Sequence, residues 1–87
     1  MEELTGLLVE SVKGRDKGKR YVVIRDLDRY FSLVADGSKK TLESPKRKNR
    51  KHLRPVPAAE RLTMDWTDDT LSDDRIRTFL KCHEKEV

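Results

Sequence analysis

The sequence predicts a small, mainly β domain, folded as an antiparallel barrel and followed by a short amphipathic helix. Three observations indicate this fold class: short β-branched and aromatic runs, turn signals between them, and a helical apolar period near the C-terminus. We expect residues 1–55 to form the barrel, residues 56–71 a linker and residues 72–87 the helical tail. A chain of 87 residues suits one domain with a modest core.

Strand candidates and turns occupy the first half of the chain. The runs at residues 7–13, 21–24 and 30–35 have the composition of strands. Asp36-Gly37 is a strong hairpin signal, so we expect a short fourth strand near residues 39–42. Short strands in an open sheet leave edges and one apolar face exposed, which favours closure into a barrel. Closure requires a fifth strand, for which residues 52–54 are the nearby candidate.

The C-terminal part has the pattern of a helix. Pro55 and Pro57 predict a hinge at residues 55–59. Ser72 is a good N-cap, and acidic residues follow it in the first turn, where they complement the helix dipole. An apolar stripe then predicts a helix over residues 73–84; it consists of Ile76, Phe79, Leu80 and His83. Such a short helix must dock, either on the barrel or on a protein partner.

Charge divides the chain into two unlike parts. Residues 1–59 contain 15 Lys/Arg and 8 Asp/Glu, whereas residues 60–87 contain 5 and 8. A basic first part favours a polyanionic partner, although a merely soluble surface also fits. There is no apolar run long enough for a membrane span, and Glu2 and Glu3 stand where a signal peptide would be positive. With Cys82 as the single cysteine, we expect a reducing, cytoplasmic compartment.

The first basic element joins the first two strand candidates. Its two glycines allow a tight turn with peptide N–H groups open to an anion, and its cations suit a phosphate backbone. The candidate RNA-binding residues here are Gly14, Arg15, Lys17, Gly18, Lys19 and Arg20. The spacing is not that of a nucleotide-binding P-loop. Taken alone, the pattern also fits a plain β-turn with solvated lysines.

The second basic element spans residues 46–54. Six fixed positive charges lie close together there, on Lys46, Arg47, Lys48, Arg50, Lys51 and Arg54. We interpret them as further RNA contacts; a disordered solvated loop, a localisation signal or a contact with an acidic protein are the alternatives. Tyr21, Tyr30 or Phe31 would stack a base if exposed, although core packing is the commoner role for such residues.

Residues suited to catalysis do not form a coherent group. Asp68-Asp69 and Asp73-Asp74 lack the pattern of a calcium loop, and capping explains the second pair. Adjacent helical residues such as Cys82 and His83 point to different faces, so they do not form a nucleophile–base pair. We therefore expect no enzyme, no cofactor, no metal and no small-molecule substrate.

One longer stretch resembles a known family. Residues 8–18, LVESVKGRDKG, followed by Val22-Val23, resemble the KOW motif of ribosomal proteins and NusG-type transcription factors. Tyr21 departs from it, near where many members have a second glycine. With residues 33–37, 45–49 and 51–53, the chain is similar to short bacterial KOW-domain proteins related to the fourteen-e family of large-subunit ribosomal proteins. The resemblance covers about residues 5–55 and implies an SH3-like barrel, RNA binding and no catalysis.

The residues and the resemblance together predict an RNA-binding protein whose two basic elements hold phosphates. We expect ribosomal or other structured RNA as the partner, with a possible protein contact through the C-terminal helix. The alternative is a protein-interaction module of the SH3-like class that acts in the transcription or translation machinery. That alternative requires an exposed aromatic groove and tolerates loss of the basic loops.

Overall fold

A computed structural model describes residues 3–56 and 72–82 of the chain. Five strands form one antiparallel sheet: β1 Leu8–Ser11, β2 Arg20–Asp26, β3 Phe31–Ala35, β4 Lys46–Asn49 and β5 Leu53–Pro55. A 3₁₀ helix, Arg50–His52, lies between β4 and β5, and the helix α1 spans Asp73–Cys82. The expected mainly β class with a C-terminal helix is confirmed. Most of the expected linker, residues 57–71, and His83 lie outside the described residues.

The sheet has the strand order β4-β3-β2-β1-β5. Strands β1 to β4 form a meander in which each strand pairs with the next. The 3₁₀ helix then takes the chain to the far side of the sheet, where β5 pairs with β1. Consequently β4 and β5 are the two edges, and the ladder of hydrogen bonds is not closed.

Strand β2 is buried on both of its faces. Tyr21 and Val23 point into one apolar cluster, whose other members are Leu4, Val9, Val34 and Leu53. Val22 and Ile24 point into a second cluster with Ala35 and Ile76. This pattern explains why 21–24 reads as a continuous apolar run rather than as an alternating one.

The second cluster lies where α1 docks on the sheet. Ile76 of α1 is completely buried, and Phe79 and Leu80 pack at its margin. The Ser72 hydroxyl accepts a hydrogen bond from the Arg75 N–H at 3.2 Å, as expected of an N-cap. Within residues 3–56 and 72–82, no helix has both the length and the apolar character that a bilayer span requires.

The expected fourth strand near residues 39–42 is wrong. The Asp36 carboxylate accepts hydrogen bonds from the N–H groups of Ser38 and Lys40, which fixes a local turn instead of starting a ladder. Leu42 donates its N–H to Asp73 Oδ1 at the start of α1, so its backbone is committed to the helix and not to a strand. The fourth strand is β4, which lies within the segment that the sequence indicated as the second basic element.

Candidate nucleic-acid interface

The first basic element is an exposed, well-defined loop between β1 and β2. Gly14 and Gly18 have φ angles of 94° and 92°. Any residue with a Cβ would be strained at these angles, whereas glycine adopts them readily. Gly18 donates its N–H to Ser11 O at 2.8 Å, which closes the loop at its base. Lys19 donates to Asp16 O at 2.9 Å and forms a second, inner turn. We call residues 13–19 the basic loop.

Asp16 attaches the basic loop to the sheet. Its Oδ1 accepts hydrogen bonds from Ser11 Oγ at 2.8 Å and from Lys48 Nζ at 2.6 Å. Its Oδ2 accepts from Tyr21 Oη at 2.9 Å and from Lys46 Nζ at 3.0 Å. Only 9% of the Asp16 side chain is exposed, so these contacts are shielded from water. The carboxylate thus ties three strands to the loop.

The ionisation of Asp16 and Tyr21 reflects this arrangement. Burial on its own would raise the pKa of Asp16, but the hydrogen bonds led by Lys48 and Lys46 outweigh it and hold the pKa well below its ordinary value. Burial, together with the neighbouring Asp16 carboxylate, raises the pKa of Tyr21 above its ordinary range. At neutral pH the network therefore contains an ionised aspartate and an un-ionised tyrosine.

The second basic element is largely a strand, and its alternating side chains have different roles. Lys46 and Lys48 turn toward Asp16, and only 10% of the Lys48 side chain is exposed. Arg47 is exposed, and its guanidinium lies 4.6 Å from the centroid of the Phe31 ring. Two of the candidate RNA-binding lysines thus also have an internal structural partner.

Three more candidate residues contact carboxylates. Arg20 Nε lies 3.5 Å from Glu10 Oε1, and Arg54 Nη2 lies 2.9 Å from Glu10 Oε2. Arg50 Nε lies 3.6 Å from Asp26 Oδ1. Asp26 also accepts hydrogen bonds from the Ser32 hydroxyl and from the N–H of Leu4. Burial on its own would raise the pKa of Asp26, but these contacts lower it below its ordinary value.

Positive charge nevertheless predominates on this surface. Asp16 and Glu10 each face two cations, so each cluster keeps an excess of one positive charge. Within the two basic elements and the adjoining Lys13, six further cations are exposed and form no ion pair with the described residues: Lys13, Arg15, Lys17, Lys19, Arg47 and Lys51. Ion pairing therefore organises the surface without neutralising it.

The two basic elements lie side by side. Lys48 Nζ donates to Lys13 O at 3.3 Å, and Val12 donates its N–H to His52 O at 2.9 Å. His52 lies at this junction, where desolvation and then the charges of Lys13, Lys51 and Lys48 lower its pKa. A lowered pKa is the expected response of an imidazole that is surrounded by cations.

The carboxylates of α1 are engaged away from the basic loop. Asp73 accepts from Leu42 N–H, and Asp74 pairs with Arg77 within the helix. Among residues 3–56 and 72–82, no ion pair links α1 to the basic loop.

The three aromatic candidates differ in accessibility. Tyr21 is buried and its hydroxyl is bound to Asp16, whereas Phe31 is half-buried beneath Arg47. Tyr30 is 60% exposed.

The candidate RNA-binding residues did not include Asp16, Lys13 or His52, although Asp16 and His52 lie within the two basic elements. A lone acid between Arg15 and Lys17 was the available signal for Asp16.

The described residues contain no group of His, Cys, Asp and Glu suited to a metal ion. A scan against models of protein families and a search of curated proteins each gave no significant match to the chain.

Proposed function

We propose that this protein is an RNA-binding module of the KOW type, with ribosomal or other structured RNA in the cytoplasm as its partner. The observation that carries the proposal is the basic loop itself. Its cationic side chains are exposed, and the hydrogen bonds of the Asp16 carboxylate hold its backbone against the sheet. The RNA phosphates would lie along the basic loop and continue onto Arg47, Lys51 and the cationic end of β4.

Pre-organisation is the physical reason why this surface suits a phosphate backbone. A flexible loop loses backbone conformational entropy when it binds a ligand. A loop that is already closed by hydrogen bonds loses less, so less of the binding free energy is spent on ordering it. Among the described residues, the N–H groups of Gly14 and Arg15 donate to no internal acceptor, so they remain open to phosphate oxygens.

The strand arrangement supports an SH3-like barrel as the finer description of the fold. Strands β4 and β5 occupy opposite edges but are consecutive in the chain, joined only by a 3₁₀ helix of three residues. So short a connection requires the sheet to curl until its two edges approach each other. The hydrogen bonds from β4 lysines to Asp16, in the loop after β1, also fit a curled sheet.

The salt dependence of RNA binding tests the proposal. If about six cations contact phosphates, affinity should fall by about a thousandfold between 50 and 200 mM salt. The triple substitution Arg15→Ala, Lys17→Ala and Lys19→Ala should weaken binding and lower the slope of log affinity against log salt by about three. Fluorescence anisotropy with a labelled structured RNA measures both quantities.

A control of equal charge separates local contact from net charge. Arg25, Lys39 and Lys40 lie outside the basic loop and form no ion pair among residues 3–56 and 72–82. Replacing these three with alanine removes the same charge, and we expect a smaller change in the slope. Equal effects of both triple variants, or RNA affinity independent of salt, would contradict the proposed interface. If this protein stays bound to another protein after nuclease has removed the RNA, the protein-interaction alternative is favoured.

A further inference from the structure

Tyr30 is an aromatic side chain that the fold leaves open to solvent. It lies in the turn between β2 and β3, and 60% of its surface is exposed. The other two aromatic residues considered above are engaged, Tyr21 with Asp16 in the core and Phe31 with the guanidinium of Arg47. Of these three aromatic side chains, Tyr30 is therefore the most accessible to a ligand.

The backbone around Tyr30 is held firmly. The Asp28 carboxylate accepts the N–H groups of Tyr30 at 2.7 Å and of Phe31 at 2.9 Å. Leu27 donates its N–H to Phe31 O at 3.0 Å across the same turn. The ring is thus presented from a fixed backbone position, which reduces the entropy lost when a ligand stacks on it.

Cations lie near the Tyr30 ring and connect it to the second basic element. The Arg29 guanidinium lies 5.9 Å from the ring centroid. Arg50 donates its N–H to Tyr30 O at 2.8 Å, so the exposed Lys51 follows immediately after a residue bonded to Tyr30. Proteins that bind single-stranded nucleic acid combine aromatic rings, which stack on the bases, with cations, which contact the phosphates on either side.

We propose that Tyr30 stacks on an unpaired base of an RNA whose phosphates contact the basic loop and the second basic element. This inference rests on the proposed function and refines it: the preferred ligand contains a single-stranded or bulged nucleotide rather than a continuous duplex. The ring gives affinity with little base specificity, because every base has a π face.

The test compares two oligomers of equal length and charge by fluorescence anisotropy: labelled decauridylate and the corresponding abasic ribose-phosphate chain. Wild-type protein should bind decauridylate on the order of tenfold more tightly than the abasic chain. Tyr30→Ala should remove this preference and leave the affinity for the abasic chain unchanged, whereas Tyr30→Phe should retain it. Leu27→Ala is the matched control, since Leu27 is in the same turn and is 43% exposed.

Each other outcome overturns the inference. Equal binding of both oligomers by the wild type, or an equal loss for both in Tyr30→Ala, would exclude stacking while leaving the proposed function intact. Dependence on Tyr30 for an acidic peptide but not for RNA would assign the ring to a protein partner. Failure of the wild type to bind either oligomer would overturn this inference, and the proposed function would fail with it only if the labelled structured RNA of the salt series were not bound either.

Discussion

Replacing Asp16 with asparagine removes the charge at the centre of the loop anchor while nearly preserving its shape. The carboxylate accepts four hydrogen bonds, two of them from lysine ammonium groups. An asparagine keeps one acceptor oxygen, but its amide turns a donor toward ammonium groups that are also donors. The main consequence falls on Lys48, which would remain buried without a negative partner.

The size of the effect follows from burial. Asp16 and Lys48 are only 9% and 10% exposed, and removing one member of a buried ion pair costs about 3–5 kcal/mol. Lys46 is 34% exposed, so its share is that of a surface pair, at most about 1 kcal/mol. We expect Asp16→Asn to lose about 3–5 kcal/mol, a large fraction of the roughly 5–15 kcal/mol that stabilises a typical domain.

Urea denaturation followed by circular dichroism measures this loss, and two further variants control it. Glu10→Gln also removes a carboxylate that faces two arginines, but Arg54 there is 66% exposed, so we expect a loss below about 1 kcal/mol. Adding Lys48→Met to Asp16→Asn removes the unpaired ammonium and should recover part of the lost stability. The reasoning fails if Asp16→Asn lowers the free energy of unfolding no more than Glu10→Gln does. It also fails if Lys48→Met lowers that free energy as much in the Asp16→Asn variant as in the wild type.

The remaining predictions concern pH, the attachment of α1 and the location of the ligand. Because the pKa of Asp16 is lowered by folding, its stabilisation should persist above about pH 3.9 and disappear as pH falls below that value. The pKa of Tyr21 is raised, so its stabilisation should be complete below about pH 10 and disappear as pH rises further; urea midpoints across pH, compared with Asp16→Asn, check both limits. At Gly37 the φ angle is 79° and a Cβ would collide with the first turn of α1, whereas at Gly18 it would meet nothing within 4 Å. Gly37→Ala should therefore reduce helical circular dichroism and cost clearly more than the roughly 1–2 kcal/mol of backbone strain expected for Gly18→Ala; equal costs would argue against the close approach. Desolvation and then the neighbouring lysines lower the pKa of His52 in the free protein, and RNA phosphates would offset the charges of these lysines. The pKa of His52 should therefore rise when RNA binds, and an NMR titration with and without RNA would show no change if the ligand lies elsewhere.

Local patterns predicted the elements whose burial is visible in a short window. The apolar run at 21–24 falls within β2, and the capped stripe that begins at Ser72 corresponds to α1. Strand β4 escaped prediction because three of its four residues are cationic, which is typical of a loop. Its stability comes from pairing with β3 and from Asp16, which is 30 residues before Lys46 in the chain. No local window contains both partners.

The candidate site was predicted in part for the same reason. The sequence identified the exposed cations of the basic loop, such as Lys17, because glycines flank them and because exposure follows from the turn. It could not separate Lys48 from Arg47, since alternation within a basic segment carries no apolar signal to indicate which side chains point inward. Only the position of Asp16 in space distinguishes the buried lysine from the exposed arginine.

The composition of β4 also bears on self-association. As an edge strand, β4 offers unpaired backbone groups to which a strand of a second molecule can attach. Its lysine and arginine side chains oppose this, because two copies of such an edge would bring like charges together. Replacing exposed Arg47 with valine or threonine should therefore promote aggregation. The cations of this edge should therefore oppose strand-to-strand association of two molecules even in the absence of any ligand.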